Sequence, residues 1–238
     1  MMKQQGGNLY LIPSALGDGG LDRILPPFNI GIIHSLDEFI VEEVRTARRF
    51  LRKTGYQHDF DTVTFHILNE HTTEIEFSEY LASVINGKNI GLLSEAGVPC
   101  IADPGARIVE LAHRHHIRVI PLVGPSSLIL ALMASGFNGQ NFAFLGYLPA
   151  KRDERIKKLR DVERHIRLNH QTQLFIEAPY RNMQMLESII SACSPDLQLC
   201  IACDITLDTE TIITHTLHEW KSCLPDINKR PAVFLLYY

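Results

Sequence analysis

The sequence predicts an α/β protein of two domains. Three observations lead there. Short apolar runs of strand length alternate with helical segments through residues 1–136, the pattern of a parallel sheet with helices packed on it. Those runs are apolar at successive positions, as strands covered on both faces must be. Composition then shifts after Gly136, which places a boundary near 136–141 between an N-terminal domain, 1–136, with a parallel sheet and a C-terminal domain, 137–238, with a mixed sheet.

Taken in order, 9–13 (LYLIP) is a short buried strand followed by a glycine-rich turn, 14–20. Residues 30–34 (IGIIH) read as a second extended piece. Residues 38–42 (EFIVE) form a strand that runs into a helix near 44–53, and the β-branched, aromatic stretch 62–68 is another strand. In 74–86, Ile75, Tyr80, Leu81, Val84 and Ile85 recur at helical spacing. A strand at 89–94 leads into a long loop, 95–105, punctuated by two Pro and two Gly. A helix (106–115), a strand (117–122) and an apolar helix (127–135) follow. The second half predicts strands at 142–148, 173–177, 197–203 and 232–238, with a charged helix at 151–167 and another at 180–192.

The 238 residues are 45% hydrophobic and 21% charged, with a formal charge of −4. That is globular composition, and any nucleic-acid surface must be a local patch. The five cysteines are odd in number, no signal-like segment precedes them, and no apolar stretch approaches the roughly 20 residues that cross a bilayer. A cytoplasmic protein with reduced thiols and no membrane attachment is expected.

The chemistry is expected in three loops, each after a strand, because ligands of open α/β sheets bind outside the carboxyl ends of the strands. They are Pro13-Ser14-Ala15-Leu16-Gly17, then 94–105 (SEAGVPCIADPG), then Gly124-Pro125-Ser126-Ser127. Each offers glycine for close backbone approach, and the third opens a helix whose N–H groups can receive a carboxylate. Any one such loop is more often a plain turn. Three in register are less easily explained that way.

These segments resemble a known family in its own order. Residues 94–105 resemble the signature SDAGTPGISDPG, and LVGPSSLILALMASG (122–136) resembles IPGPSAxxxALxxSG. Residues 9–17 resemble LYxxxTPIGN, 42–48 resemble part of AEDTRHTR, 146–151 match GFLPRK and 176–181 match YESPHR. On these residues the chain is similar to the tetrapyrrole methylase-like superfamily of S-adenosylmethionine-dependent methyltransferases, in its branch of RsmI-type ribosomal RNA ribose methyltransferases. The resemblance implies two α/β domains with a cofactor cleft between them, S-adenosylmethionine as cofactor, ribosomal RNA or the small ribosomal subunit as partner, and a homodimer. It implies cofactor contacts at Leu16, Glu95, Gly97, Val98, Ile101, Ser126, Ser127, Ile176 and Ala202. The absence of a GxGxG loop after the first strand agrees with it.

A ribose hydroxyl that accepts a methyl group loses a proton, so Glu43 and Glu177 are candidate bases, and Arg45 and Arg181 are candidate phosphate contacts. For each, a surface or structural ion pair is the plainer explanation. The chain departs from the family at Glu95, Glu43, Ala178 and Tyr180, and its 42–48 segment lacks the family histidine. The cofactor loops are kept better than the acceptor side. A tetrapyrrole or other small-molecule acceptor, or a non-catalytic protein that binds the cofactor, therefore stays open.

Other features carry less. The charged helix 151–167 reads first as a solvated face and second, with Arg45, Arg48, Arg49, Arg52 and Lys53, as an RNA-facing patch. Cys200 and Cys203 form a CxxC within a strand, where positions three apart face opposite sides, so no metal site is expected. Ser126 and Ser127 lack a GxSxG elbow.

Overall fold

The structure, a computed structural model, describes residues 6–69 and 71–238. The chain divides into two compact units, Met1–Ser126 and Ser127–Tyr238. The first contains β1 (Asn8–Ile12), α1 (Pro27–His34), β2 (Glu38–Val41), α2 (Val44–Lys53), β3 (Thr64–Ile67), α3 (Glu74–Tyr80), α4 (Ala82–Ile85), β4 (Ile90–Leu93), α5 (Ala106–Arg114) and β5 (Arg118–Pro121). Its strands lie in the order β3-β2-β4-β1-β5, all parallel, with Leu9 opposite both Ile90 and Val119. Both faces are covered. Ile12, Phe39, Val41 and Leu93 pack with Phe50 and Leu51 of α2 on one side. Leu9, Ile40, Ile90 and Leu92 pack with Leu81, Val84 and Ile108 on the other. Side chains alternate between these two cores along each strand, which is why the strands read as unbroken apolar runs.

The second unit contains α6 (Ser127–Ser135), β6 (Phe142–Tyr147), α7 (Arg152–Asn169), β7 (Thr172–Ile176), α8 (Asn182–Ala192), β8 (Gln198–Cys203), β9 (Thr211–Thr216), α9 (Leu217–Trp220) and β10 (Ala232–Tyr237). Its sheet runs β6-β7-β10-β8-β9, parallel only between β6 and β7. One core, with Phe175 stacked on Phe234 at 5.5 Å, joins this sheet to α7, α8 and α9. The division falls one helix ahead of the composition shift at Gly136. Helix α6 packs on β8, β9 and β10, and the Thr214 hydroxyl donates to the Ser135 carbonyl at 2.8 Å.

Three local expectations are corrected. Residues 30–34 are not extended: they complete α1, because Pro27 occupies the first helical position, where its missing N–H costs nothing. The run 74–86 is two helices meeting at Leu81, and Ile75 and Ile85 are exposed while Phe77 takes the inward place. Strand β9 and helix α9 went unpredicted. TIITHT is a half-polar strand at the sheet edge, although the capping box that Thr216 forms with Glu219 is a sequence-visible helix start. Among the described residues no helix is long and apolar enough to cross a membrane.

Candidate active site

Because the first sheet is parallel, the carboxyl ends of β4, β1 and β5 lie side by side. The three predicted loops leave from these ends. They are tied together by backbone: the Ser14 N–H donates to the Gly97 carbonyl at 2.9 Å. Gly97 has φ +74, and a Cβ there would stand 3.0 Å from Leu16 Cδ2 and 3.1 Å from the Pro125 carbonyl oxygen. A Cβ on Gly124 would overlap Pro13 at 2.2 Å. Both glycines thus allow the three loops to pack closely on one another.

The loop after β4 is held by its own acid. Asp103 accepts from the Cys100 N–H at 2.8 Å and the Gly105 N–H at 2.8 Å. Cys100 (φ +68) and Ala102 (φ +63) are left-handed without being glycine. The family pattern has glycine at the place of Cys100, and this φ is the physical reason. Strain of this kind is held where a loop must keep one shape for a ligand.

Leu16, Glu95, Gly97, Val98 and Ile101 lie in these first two loops of the first unit, with Ser126 closing that unit and Ser127 opening α6. Leu16 and Glu95 line a cavity of about 200 Å³. The cavity is closed on the other side by α2. Ile101 is half exposed, an apolar side chain at a loop tip. Ile176 ends β7 in the second unit, while Ala202 lies fully buried in β8 between Val233 and Ile212.

The acidic candidates differ in setting. Glu43 is the N-cap of α2: it accepts from the N–H groups of Arg45 (2.9 Å) and Thr46 (2.7 Å) and from the Thr46 hydroxyl. Those backbone bonds hold its carboxyl below the ordinary value. Glu177 has no exposed side-chain surface, and its Oε1 accepts from the Ala178 N–H at 2.7 Å and from Arg181 at 2.9 and 2.5 Å. Arg181 is thereby committed to Glu177, whereas Arg45 is exposed at the start of α2.

Glu42, not singled out in the sequence, directly follows β2 at the same sheet edge. Burial, reinforced by the carboxylates of Asp103 and Glu95, raises its carboxyl above the ordinary value against a hydrogen bond from the Glu95 backbone. The signal available was only its place, between the end of a strand and the cap of α2. Of the basic residues, Arg48 and Arg52 lie over the Phe60 ring at 5.3 and 4.2 Å, Arg155 is buried on Ser188 and the Ala150 carbonyl, and Arg167 binds Glu163. Lys157, Lys158, Arg160 and Arg164 remain exposed on α7.

The chain is 30% identical to the ribosomal RNA small subunit methyltransferase I of Xylella fastidiosa, over 97% of this chain and 80% of that protein. It is 31% identical to the protein of the same name from Bacillus subtilis, over 91% of this chain and 70% of that one. The chain belongs to the ribosomal RNA small subunit methyltransferase I family. The Vibrio cholerae member is 30% identical over 86% of this chain and 67% of its own length. No protein-family model matches the chain. Among solved structures, the methyltransferase CobJ superposes with a TM-score of 0.62 at 16% identity, covering 97% of this chain and 94% of its own. The uroporphyrin III C-methyl transferase of Thermus thermophilus gives 0.57 at 16%, covering 97% of each chain. The fold of this family member is therefore that of the tetrapyrrole methylases.

Proposed function

We propose that this chain transfers a methyl group from S-adenosylmethionine to a ribose 2′-hydroxyl of small-subunit ribosomal RNA. The observation that carries the reading is the convergence of the three family loops on adjacent strand ends, packed on one another at Gly97 and Gly124. That edge fits the cofactor, since a close-packed glycine cradle admits a flat, polar ligand against backbone groups. Leu16, Glu95, Gly97, Val98, Ile101, Ser126 and Ser127 would hold it. Ile176 and Ala202 lie in the second unit, and Ala202 has no exposed surface to offer a ligand. Bound there, S-adenosylmethionine supplies an electrophilic sulfonium methyl.

The protein then needs to orient the acceptor, exclude water and take one proton. Glu42 fits the last task best, being half-buried at the strand-end edge beside the loop of Glu95 and Asp103, whereas the Glu43 carboxylate is occupied in capping α2. Arg45 stands exposed near it for a phosphate. By likeness to the family the working unit is a homodimer, and its place of action is the cytoplasm, where ribosomal subunits are.

Calorimetry with S-adenosylmethionine tests the cofactor, and transfer of labelled methyl to small ribosomal subunits lacking the modification tests the acceptor. Methylation of the 2′-hydroxyl makes the adjoining linkage resistant to alkali. Label in an alkali-resistant dinucleotide is expected, and label on a base would overturn the ribose assignment. Light scattering at the mass of two chains is expected for the assembly.

A further inference from the structure

The cavity beside Leu16 and Glu95 has a composition of its own. Val41, Ala47, Phe50 and Leu93 supply apolar wall. Ser14 lines it, and the Ser14 hydroxyl, on a residue only 3% exposed, has no hydrogen-bond partner. A buried hydroxyl left unpaired is costly, and a ligand that pairs with it removes the cost. Arg49 and Lys53, one turn apart on α2, stand at the rim. Lys53 is paired with Asp18 of the glycine-rich turn at 2.7 Å. Arg49 has no carboxylate within ion-pair distance among the described residues.

Size limits the occupant to one nucleotide or part of a cofactor. Pockets that enclose a drug-sized molecule run to about 300–1,000 Å³. A cavity of about 200 Å³ takes one nucleoside-sized group, not a whole cofactor. Its shared wall with the cofactor loops puts that group next to the methyl donor.

We propose that this cavity seats the acceptor nucleotide, extruded from its strand, with its apolar wall on the nucleoside, the Ser14 hydroxyl on a polar edge, and Arg49 and Lys53 on a flanking phosphate. The proposal rests on the RNA reading above. It makes Asp18 a competitor for Lys53, so removing the acid and removing the bases act in opposite directions.

The test uses the full chain, an end-labelled single-stranded oligoribonucleotide of mixed sequence, unmodified small ribosomal subunits, and calorimetry with S-adenosylmethionine. For Arg49→Ala combined with Lys53→Ala, KM for subunits is expected to rise about tenfold. Cofactor affinity stays within about twofold. The slope of log affinity for the oligonucleotide against log salt falls by about 1.4, at about 0.7 per lost contact. Asp18→Asn is expected to lower KM about threefold. Ser14→Val, which removes the hydroxyl from the cavity wall, lowers kcat/KM without lowering cofactor affinity. Cofactor affinity falling in step with RNA affinity would assign the cavity to the cofactor and overturn the proposal. So would unchanged KM and slope in an enzyme that still methylates subunits, and in that case the RNA reading stands. A wild-type chain that neither binds the oligonucleotide nor methylates subunits removes both.

Discussion

Glu42 and Glu43 are sequence neighbours placed in opposite roles. Glu43→Gln weakens the N-cap of α2, so melting temperature is expected to fall while kcat is kept. Because the Glu43 carboxyl is held low in the folded state, its contribution is present at pH 7 and lost as pH falls below about 4.5 through the folded value. The melting difference between Glu43→Gln and wild type should therefore shrink in acid. Glu42→Gln is expected to lower kcat by about 10²–10⁴ with little change in cofactor affinity. The wild-type rate should fall with decreasing pH at a value above that of an ordinary carboxylate, since burial and two neighbouring acids raise Glu42. A Glu42→Gln enzyme with wild-type kcat would remove the residue from the chemistry.

At the scale of elements, α7 separates packing from surface charge. Arg155 is 4% exposed and donates to the Ser188 hydroxyl and the Ala150 carbonyl, so Arg155→Ala should cost about 1.5–3 kcal/mol in urea unfolding. Lys157→Ala and Arg160→Ala, both exposed, should stay within about 0.5 kcal/mol. No sequence rule distinguishes Arg155 from Arg160. The charged run named the helix, and only the fold shows which cation faces the core. The same limit explains the other elements. Apolar strands of the first sheet were legible because both faces are buried, whereas β9 lies at an edge and alternates polar with apolar too weakly to stand out. The three strand-end loops were legible because glycine and proline mark them. Ser14 and Arg49 became visible only when the parallel sheet brought three separate strand ends and α2 around one cavity, and Glu42 only through its burial beside Glu95 and Asp103.

At the scale of the molecule, cofactor binding should register as stability. Saturation at about 100 times Kd adds about 2.7 kcal/mol to the folded state that binds. A thermal scan with S-adenosylmethionine should therefore raise the melting temperature, and an unmoved transition at saturating cofactor would contradict binding to the native chain. The order in which the two units can form is a separate matter, and it is written into the second sheet. The strand at its centre, β10, is made after every other strand of that sheet, and β7 and β8 are joined to each other only through it. During synthesis the first unit can complete its five strands once residue 121 has emerged, but β6-β7 and β8-β9 must wait as two unjoined ribbons until 232–237 arrives. Each ribbon keeps an open edge in the meantime, an invitation to pair with another nascent chain. Until 232–237 has been made, the second unit is thus the one exposed to misassembly.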